Sequence, residues 1–271
     1  MSGLIMTGSE QPVQVASIDL DGTLLDRRKR ISAENAAAVE LLRAAGFEIV
    51  LTSGRILQHT LAYYRQLALT GPIVSADGAL VRVPGRKPIH DVTLAPDVVF
   101  AILDTARRLK VTAMVFRHDG IRTTSRFAWN DEIDRHRREL PRHYRESKVE
   151  RVWRTPTHKV LLYATSDELA QLEAALPDFV SQQTHRIRNT ATLEFTSPGI
   201  SKVAGLASMF KPAQVTFFGD GNNDVAVLRW AGLGVAMHHG TEAALAAADL
   251  IAPCTDPASN FAAAVELILS I

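Results

Sequence analysis

Ile18-Asp19-Leu20-Asp21-Gly22-Thr23-Leu24 near one end of the chain and Phe218-Gly219-Asp220-Gly221-Asn222-Asn223-Asp224 near the other set four carboxylates in two clusters. Each cluster follows a short β-branched or aromatic apolar run, which reads as a buried strand, so both are expected at strand ends. Side chains two apart on an extended backbone share a side, so Asp19 and Asp21 can face one point. Gly22 then lets the chain turn away and lets backbone approach a ligand. Carboxylates a few ångströms apart repel and shift one another's pKa, a conflict that a divalent cation removes. Mg²⁺ takes one or two carboxylates and keeps its other positions for water and phosphate oxygens, which suits Asp19 with Asp220. The pattern predicts a site built for phosphate.

Two further segments fit. Phe47-Glu48-Ile49-Val50-Leu51 reads as a second strand, and Thr52-Ser53-Gly54-Arg55 follows it where the next helix should begin. Hydroxyls and backbone N–H groups at a helix N-terminus bind anions. Lys202, in Gly199-Ile200-Ser201-Lys202, opens another helix-like stretch and would offset the negative charge of the site. Taken singly, an Asp-Gly pair after an apolar run is a turn, and a lone Ser-Gly-Arg or Lys is a cap or a solvated residue. Their joint occurrence at strand ends, where open α/β sheets bind ligands, favours a functional site.

These four segments, in this order, resemble the motifs of the haloacid dehalogenase superfamily of phosphohydrolases: an Asp-x-Asp loop, a Ser/Thr, a Lys and a terminal acidic loop. The Gly-Asp-x-x-Asn-Asp form of the last motif, the long insert between Arg55 and Lys202, and Ala231-Gly232-Leu233-Gly234-Val235-Ala236-Met237 resemble its Cof-type branch, which carries a large α/β (type IIB) cap. The resemblance implies that Asp19 is the nucleophile forming an aspartyl-phosphate and that Asp21 is the acid and later the base. It implies phosphate binding by Gly22, Ser53, Gly54, Arg55, Lys202 and Asn223, with Ser53 and Lys202 counted as catalytic. It also implies Mg²⁺ held by Asp19, Asp220 and the Asp21 carbonyl, with Asp224 ligating through water or bracing the shell.

The chain departs from that branch in three places. Ser75-Ala76-Asp77-Gly78-Ala79 stands where an Asn-Gly-Ala is usual, which brings a carboxylate to the edge of the site. After Met237 the usual Gly-Asn is His238-His239-Gly240, and the late Asp-Gly-Val stretch is replaced around Ser259-Asn260-Phe261.

Strand-like runs at 13–18, 47–51 and 72–75 alternate with helix-like runs at 32–45 and 56–68, the grammar of a parallel sheet with helices on both faces. Ser32 with Asn35 caps the first helix and Gly46 stops it. The same grammar resumes after Lys202, with a strand at 214–218, a helix from about Asn223 to Ala231, Val235 in a strand, a helix at 241–248 and a last one at Phe261–Leu269. The expected fold is α/β, a Rossmann-like, doubly wound parallel-sheet core with an inserted α/β cap domain. Residues 1–82 and 199–271 would form the core and 83–198 the cap, with hinges at Pro84-Gly85-Arg86-Lys87-Pro88 and Thr196-Ser197-Pro198-Gly199. Inside the cap, 98–109 and 167–176 read as helices and 111–117, 158–164 and 192–196 as strands.

At 271 residues and 46% hydrophobic content the chain has the length of two domains and the composition of a globular protein. Cys254 is the only cysteine, so no internal disulfide forms, and a reducing compartment is expected. Met1 to Gln14 lacks the basic start and apolar stretch of a leader, and no apolar run reaches the ~18 residues of a membrane span. The expected location is the cytoplasm. Arg82 to Ile200 holds 20 Lys and Arg against 15 Asp and Glu, leaving 10 against 14 elsewhere. The densest basic part, from Arg135 to Arg154, reads as a solvated helical face, or else as attraction for an anionic substrate. No nucleic-acid module is recognisable, and Trp129 and Trp153 show no stacking pattern. Arg117, His118, Arg126, Trp129 and Asn130 are candidate specificity residues of the cap, while structural roles are expected for His59, His158 and the His238-His239 pair.

The resulting expectation is a Mg²⁺-dependent phosphomonoester hydrolase acting on a small phosphorylated metabolite, such as a sugar phosphate or a nucleotide or cofactor phosphate. No nucleic-acid or membrane partner is expected, and the chain is expected to be a monomer or a homodimer. A phosphomutase using the same aspartyl-phosphate and a phospho-ligand sensor with little turnover are the rivals. The mutase would form an isomer without releasing phosphate. The sensor would bind tightly without turnover, and it has no need of both a nucleophile and an acid.

Overall fold

The computed structural model describes residues 14–124, 144–146, 152–176, 181–187 and 190–270. Most of the basic run from Arg135 to Arg154, together with Arg126, Trp129 and Asn130, lies outside the described residues. The first segment runs β1 (Val15–Ile18), α1 (Ala33–Ala44), β2 (Glu48–Thr52), α2 (Leu57–Gln66), β3 (Ile73–Ser75), β4 (Leu80–Arg82) and β5 (Pro88–Asp91). An insert follows: α3 (Pro96–Arg108), β6 (Thr112–Arg117), β7 (Gly120–Thr123), β8 (Tyr144–Glu146), β9 (Lys159–Thr165), α4 (Ser166–Ala175), β10 (Ser181–Ile187) and β11 (Thr190–Thr196). The last segment runs α5 (Lys202–Ala207), β12 (Val215–Gly219), α6 (Val225–Trp230), β13 (Leu233–Ala236), α7 (Glu242–Leu245), β14 (Leu250–Ile251) and α8 (Asn260–Leu269).

The first and last segments share one sheet, ordered β14-β13-β12-β1-β2-β3-β4-β5. Pairing is parallel from β14 to β3 and antiparallel for β4 and β5. Strand alternation builds two cores. Ala16, Ile18, Ile49, Leu51, Phe218 and Val235 pack on one face with α1 and α8 residues such as Val39, Leu42 and Phe261. Val15, Val50, Val74, Val215 and Phe217 pack on the other with Leu206, Val227 and Leu228. Fully burying an aliphatic or aromatic side chain of this size contributes about 1.5–3 kcal/mol, so these two faces hold the sheet. Ser32 caps α1 by accepting the Asn35 N–H, worth about 1 kcal/mol, and Gly46 follows it with φ of 90°.

The insert forms a separate, mainly antiparallel sheet ordered β10-β11-β9-β6-β7-β8. Its helix-facing core joins Val99, Ile102 and Leu103 of α3 to Val115, Leu162, Leu193 and Phe195. On the opposite face, Met114, Phe116, Ile121 and Leu161 meet Ile56 from the start of α2. That contact seats the insert sheet against the segment that leaves β2. The α/β fold with an inserted α/β unit is as the sequence predicted. Strand β5 pairs with β4, however, so residues 83–91 continue the first sheet. The expected hinge at Pro84-Gly85-Arg86-Lys87-Pro88 is instead a hairpin turn, because its Pro and Gly residues serve a turn as well as they serve a linker. Short strands β4 and β5 have too few residues to show a period, so no sequence pattern marked them.

Candidate active site

Strand β1 lies between β2 and β12, and the loops leaving all three open at one edge of the sheet, the switch point of an open α/β fold. Asp19 extends the β1 ladder, its N–H donating to the Phe218 carbonyl at 2.9 Å. Its Oδ1 accepts from Lys202 Nζ at 2.6 Å, and the same ammonium donates to Asp224 Oδ1 at 2.6 Å. Asp224 Oδ2 accepts the backbone N–H groups of Asp220 and Gly221 at 3.0 and 2.9 Å, so it fixes the loop that carries Asp220. This is also why the helix expected from Asn223 starts only at Val225, after a single 3₁₀ turn. Thr23 Oγ1 donates to Asp220 Oδ1 at 3.3 Å.

One oxygen each from Asp19, Asp220 and Asp224 lies within 4.8 Å of the others. Burial pushes the Asp19 carboxyl well above its ordinary range, with Asp224 and Asp220 adding to the shift and Lys202 opposing it. Burial and the Asp224 charge push Asp220 up to about 7. Burial opposes the Lys202 ammonium, but Asp19 and Asp224 outweigh it and raise its pKa. Three carboxylates around one ammonium leave uncompensated negative charge at a water-poor centre, so a divalent cation fits this donor set. Gly22 makes the approach possible. It has φ of +85°, and a Cβ there would collide with the Asp220 carboxylate.

Asp21 faces elsewhere. Arg55 grips it with Nε on Oδ2 and Nη2 on Oδ1, both at 2.6 Å, and Lys29 Nζ reaches Oδ1 at 2.6 Å. Burial opposes ionisation of Asp21, but Arg55 and then Lys29 outweigh it and hold the carboxyl well below the usual range. Tyr63 of α2 braces both cations, its hydroxyl donating to the Lys29 carbonyl at 2.9 Å and its ring lying 5.6 Å from the Arg55 guanidinium. Ser53 is 2% exposed at the end of β2, and its Oγ accepts the Arg55 N–H at 3.2 Å.

The structure thus brings Asp19, Asp220, Asp224 and Lys202 together, while Arg55 is bound to Asp21 and Gly54 lies against Asp77. Asn223 donates through Nδ2 to Asp77 Oδ1 at 3.2 Å. Sequence reasoning missed Lys29 and Lys159, and expected of His239 only the structural role described next. Lys159 Nζ reaches from the insert to Asp77 Oδ2 at 2.8 Å and to the Gly54 carbonyl at 3.0 Å. His239 Nε2 donates to the Gly22 carbonyl at 2.7 Å, and its Nδ1 accepts from Asn260 Nδ2 at 3.0 Å. A lysine opening an apolar strand was the one available signal for Lys159.

Residues 16–259 match the family model for haloacid dehalogenase-like hydrolases. The 5-amino-6-(5-phospho-D-ribitylamino)uracil phosphatase YitU of Bacillus subtilis is 28% identical over 242 residues, covering 84% of this chain and 87% of that protein. The HMP-PP phosphatase of Cronobacter sakazakii is 25% identical over 233 residues, covering 83% of this chain and 84% of that protein. The solved structure of the subclass IIB sugar phosphatase BT4131 shares the fold, with a TM-score of 0.78 at 20% identity over 96% of this chain and 100% of that one. Among the described residues no helix is long and apolar enough to cross a membrane. With the motif order, the two-sheet fold and the family match in agreement, the chain belongs to the haloacid dehalogenase-like hydrolases.

Proposed function

We propose that this hydrolase releases phosphate from a small phosphorylated metabolite in a Mg²⁺-dependent reaction that passes through an aspartyl-phosphate at Asp19. The observation that carries the reading is the setting of Asp19. Lys202 holds Oδ1, whereas Oδ2 makes no hydrogen bond among the described residues. That oxygen attacks phosphorus as the P–O bond to the leaving alcohol breaks, and Asp21 gives the alkoxide its proton. Asp21, again a carboxylate, then takes a proton from the water that attacks the phosphoryl group, which frees phosphate and Asp19. Arg55 and Lys29 favour the carboxylate form needed in the second step, so the first step requires Asp21 to take up a proton against their charge. Ser53 and the backbone around Gly54 bind phosphoryl oxygens, and Lys202 offsets the charge building on Asp19 and the phosphoryl group.

Asp19, Asp220 and Asp224, with the Asp21 carbonyl implied by the family pattern, would hold the Mg²⁺. When bound, the ion supplies charge neutralisation and orients the phosphoryl oxygens. The insert serves as the cap that excludes water and selects the substrate. The named activities of the two relatives on phosphorylated biosynthetic intermediates support a small-metabolite substrate, and a cytoplasmic enzyme agrees with it. The test is phosphate release from a panel of sugar, nucleotide and cofactor phosphates, with Mg²⁺ or EDTA, for wild type beside Asp19→Asn. Release that needs Mg²⁺ and disappears in the folded variant is expected. Isomer without free phosphate would point to a mutase, and tight binding without turnover to a sensor.

A further inference from the structure

A second cluster of metal-ligating side chains lies where the chain crosses from the first sheet to the insert. Asp91 ends β5, His118 sits in the turn between β6 and β7, and His158 directly precedes β9. Asp91 Oδ1 is 2.8 Å from His158 Nε2, and Asp91 Oδ2 is 3.0 Å from His118 Nε2. The two rings meet edge to face with centroids 4.7 Å apart. One ligand atom from each of the three residues lies within 4.8 Å of the others.

The fold holds these groups in place through its backbone. Leu94 N–H donates to the Thr157 carbonyl at 2.8 Å and His158 N–H to the Phe116 carbonyl at 2.9 Å, so the segment between β5 and α3, β6 and the start of β9 are tied together at this point. Gln58 Nε2, from α2, donates to the His118 carbonyl, while Gln58 Oε1 is buried without a hydrogen-bond partner. Gln58, Arg65, Arg82, Asp91 and His118 line one cleft of about 650 Å³, which gives the cluster a path to solvent and room for water.

We propose that Asp91, His118 and His158 form a binding site for a borderline divalent transition-metal ion of the Zn²⁺ class, joining the first sheet to the insert. Two imidazoles and one carboxylate suit such an ion, with a water completing the coordination on the cleft side. Metal–ligand bonds of ~2.0–2.1 Å at tetrahedral angles set ligand atoms ~3.3 Å apart, between the 2.8 and 3.0 Å of the two Asp91–imidazole contacts and the 4.8 Å that bounds the three ligand atoms. The donor sets of the two clusters also sort ions. Mg²⁺ prefers oxygen and suits the Asp19, Asp220 and Asp224 group, whereas imidazole nitrogen selects against it at the junction. Without a metal the same atoms would form two imidazole–carboxylate hydrogen bonds, and the experiment separates these cases. The site is independent of the phosphatase reading.

The test uses the full, untagged chain, stripped of metal, with excess Mg²⁺ to fill the carboxylate site and Co²⁺ as a spectroscopic stand-in for Zn²⁺. One equivalent of Co²⁺ per chain should produce visible ligand-field absorption that Zn²⁺ displaces, and Zn²⁺ should raise Tm. His118→Ala, at a half-exposed turn position where folding is retained, should weaken Co²⁺ binding at least tenfold and abolish the Zn²⁺-dependent Tm shift, and Asp91→Asn should do the same. Asp220→Asn should leave the junction absorption unchanged. Absence of absorption in wild type, its persistence in His118→Ala, or its loss in Asp220→Asn would each overturn the proposal.

Discussion

Lys159 Nζ, at the start of insert strand β9, lies 2.8 Å from Asp77 Oδ2, on the loop between β3 and β4 of the first sheet. Its remaining donors reach Glu194 Oε2 at 2.9 Å and the Gly54 carbonyl at 3.0 Å, so all three ammonium hydrogens are used. Lys159 is 3% exposed and Asp77 6%. The pair is therefore a buried tie between insert and active-site loop, with no donor left for a substrate. Removing one partner of a buried pair costs roughly 3–5 kcal/mol, because the other charge stays buried and alone. Lys159→Met should accordingly destabilise the protein by about that amount. Lys159→Met combined with Asp77→Asn should cost less than the sum of the single changes, a coupling that urea denaturation of the four proteins measures. Additive costs would show that the two groups do not act together.

The same pair sets an acid-sensitive contribution to stability. Burial raises the Asp77 pKa, but Lys159 and then Lys202 outweigh it and hold the carboxyl down to about 2. A carboxyl lowered in the folded state stabilises fully above its unfolded pKa, and the contribution fades as pH falls toward the folded value. Between neutral pH and about pH 2, wild type should thus lose about 2 kcal/mol more stability than Asp77→Asn. The gap should narrow between about pH 4 and pH 2. Denaturant midpoints of both proteins across that range test the sign, and a gap that widened toward acid would contradict it.

Ser32, Gly46 and the alternation in β1 and β2 were legible because local rules govern them: a cap, a stop and a two-residue period. Asp19, Asp220 and Lys202 were legible from their motifs, which fix residue type and spacing together. Lys159 was not, because nothing local distinguishes a buried strand lysine from an exposed one until the strand is docked across the sheet gap. The two late departures from the Cof-type pattern became intelligible only in space. His239 and Asn260 hydrogen-bond each other at 3.0 Å and together support the Gly22 carbonyl, a pairing that 21 residues of separation conceal. The basic run around Arg135 gave no comparable lead.

Arg55 should control the charge of Asp21. Its two 2.6 Å bonds hold the carboxyl ionised against the effect of burial. Losing an opposite charge at this distance raises a carboxyl pKa by about one to three units. In Arg55→Met the acidic limb of the pH profile for the second step, hydrolysis of the aspartyl-phosphate, in which Asp21 must be a carboxylate, should therefore move to higher pH, and Arg55→Lys should return part of the shift. A limb that stays in place while KM alone rises would instead make Arg55 a substrate-binding group.

Gly22→Ala separates backbone strain from damage to the acidic cluster. Gly22 and Gly46 have similar left-handed backbones, with φ of +85° and +90°. A Cβ at Gly46 meets nothing within 4 Å, whereas one at Gly22 runs into the Asp220 carboxylate. Placing alanine in this region costs about 1–2 kcal/mol at either site. Both variants should lose stability by that order, but only Gly22→Ala has to push Asp220 away from Asp19 and Asp224. We expect Gly46→Ala to retain divalent-ion affinity and phosphate release, and Gly22→Ala to lose at least nine-tenths of both while keeping its far-ultraviolet circular dichroism. Equal activity losses in the two variants would mean that strain alone, and not the approach of Gly22 to Asp220, is what the site depends on.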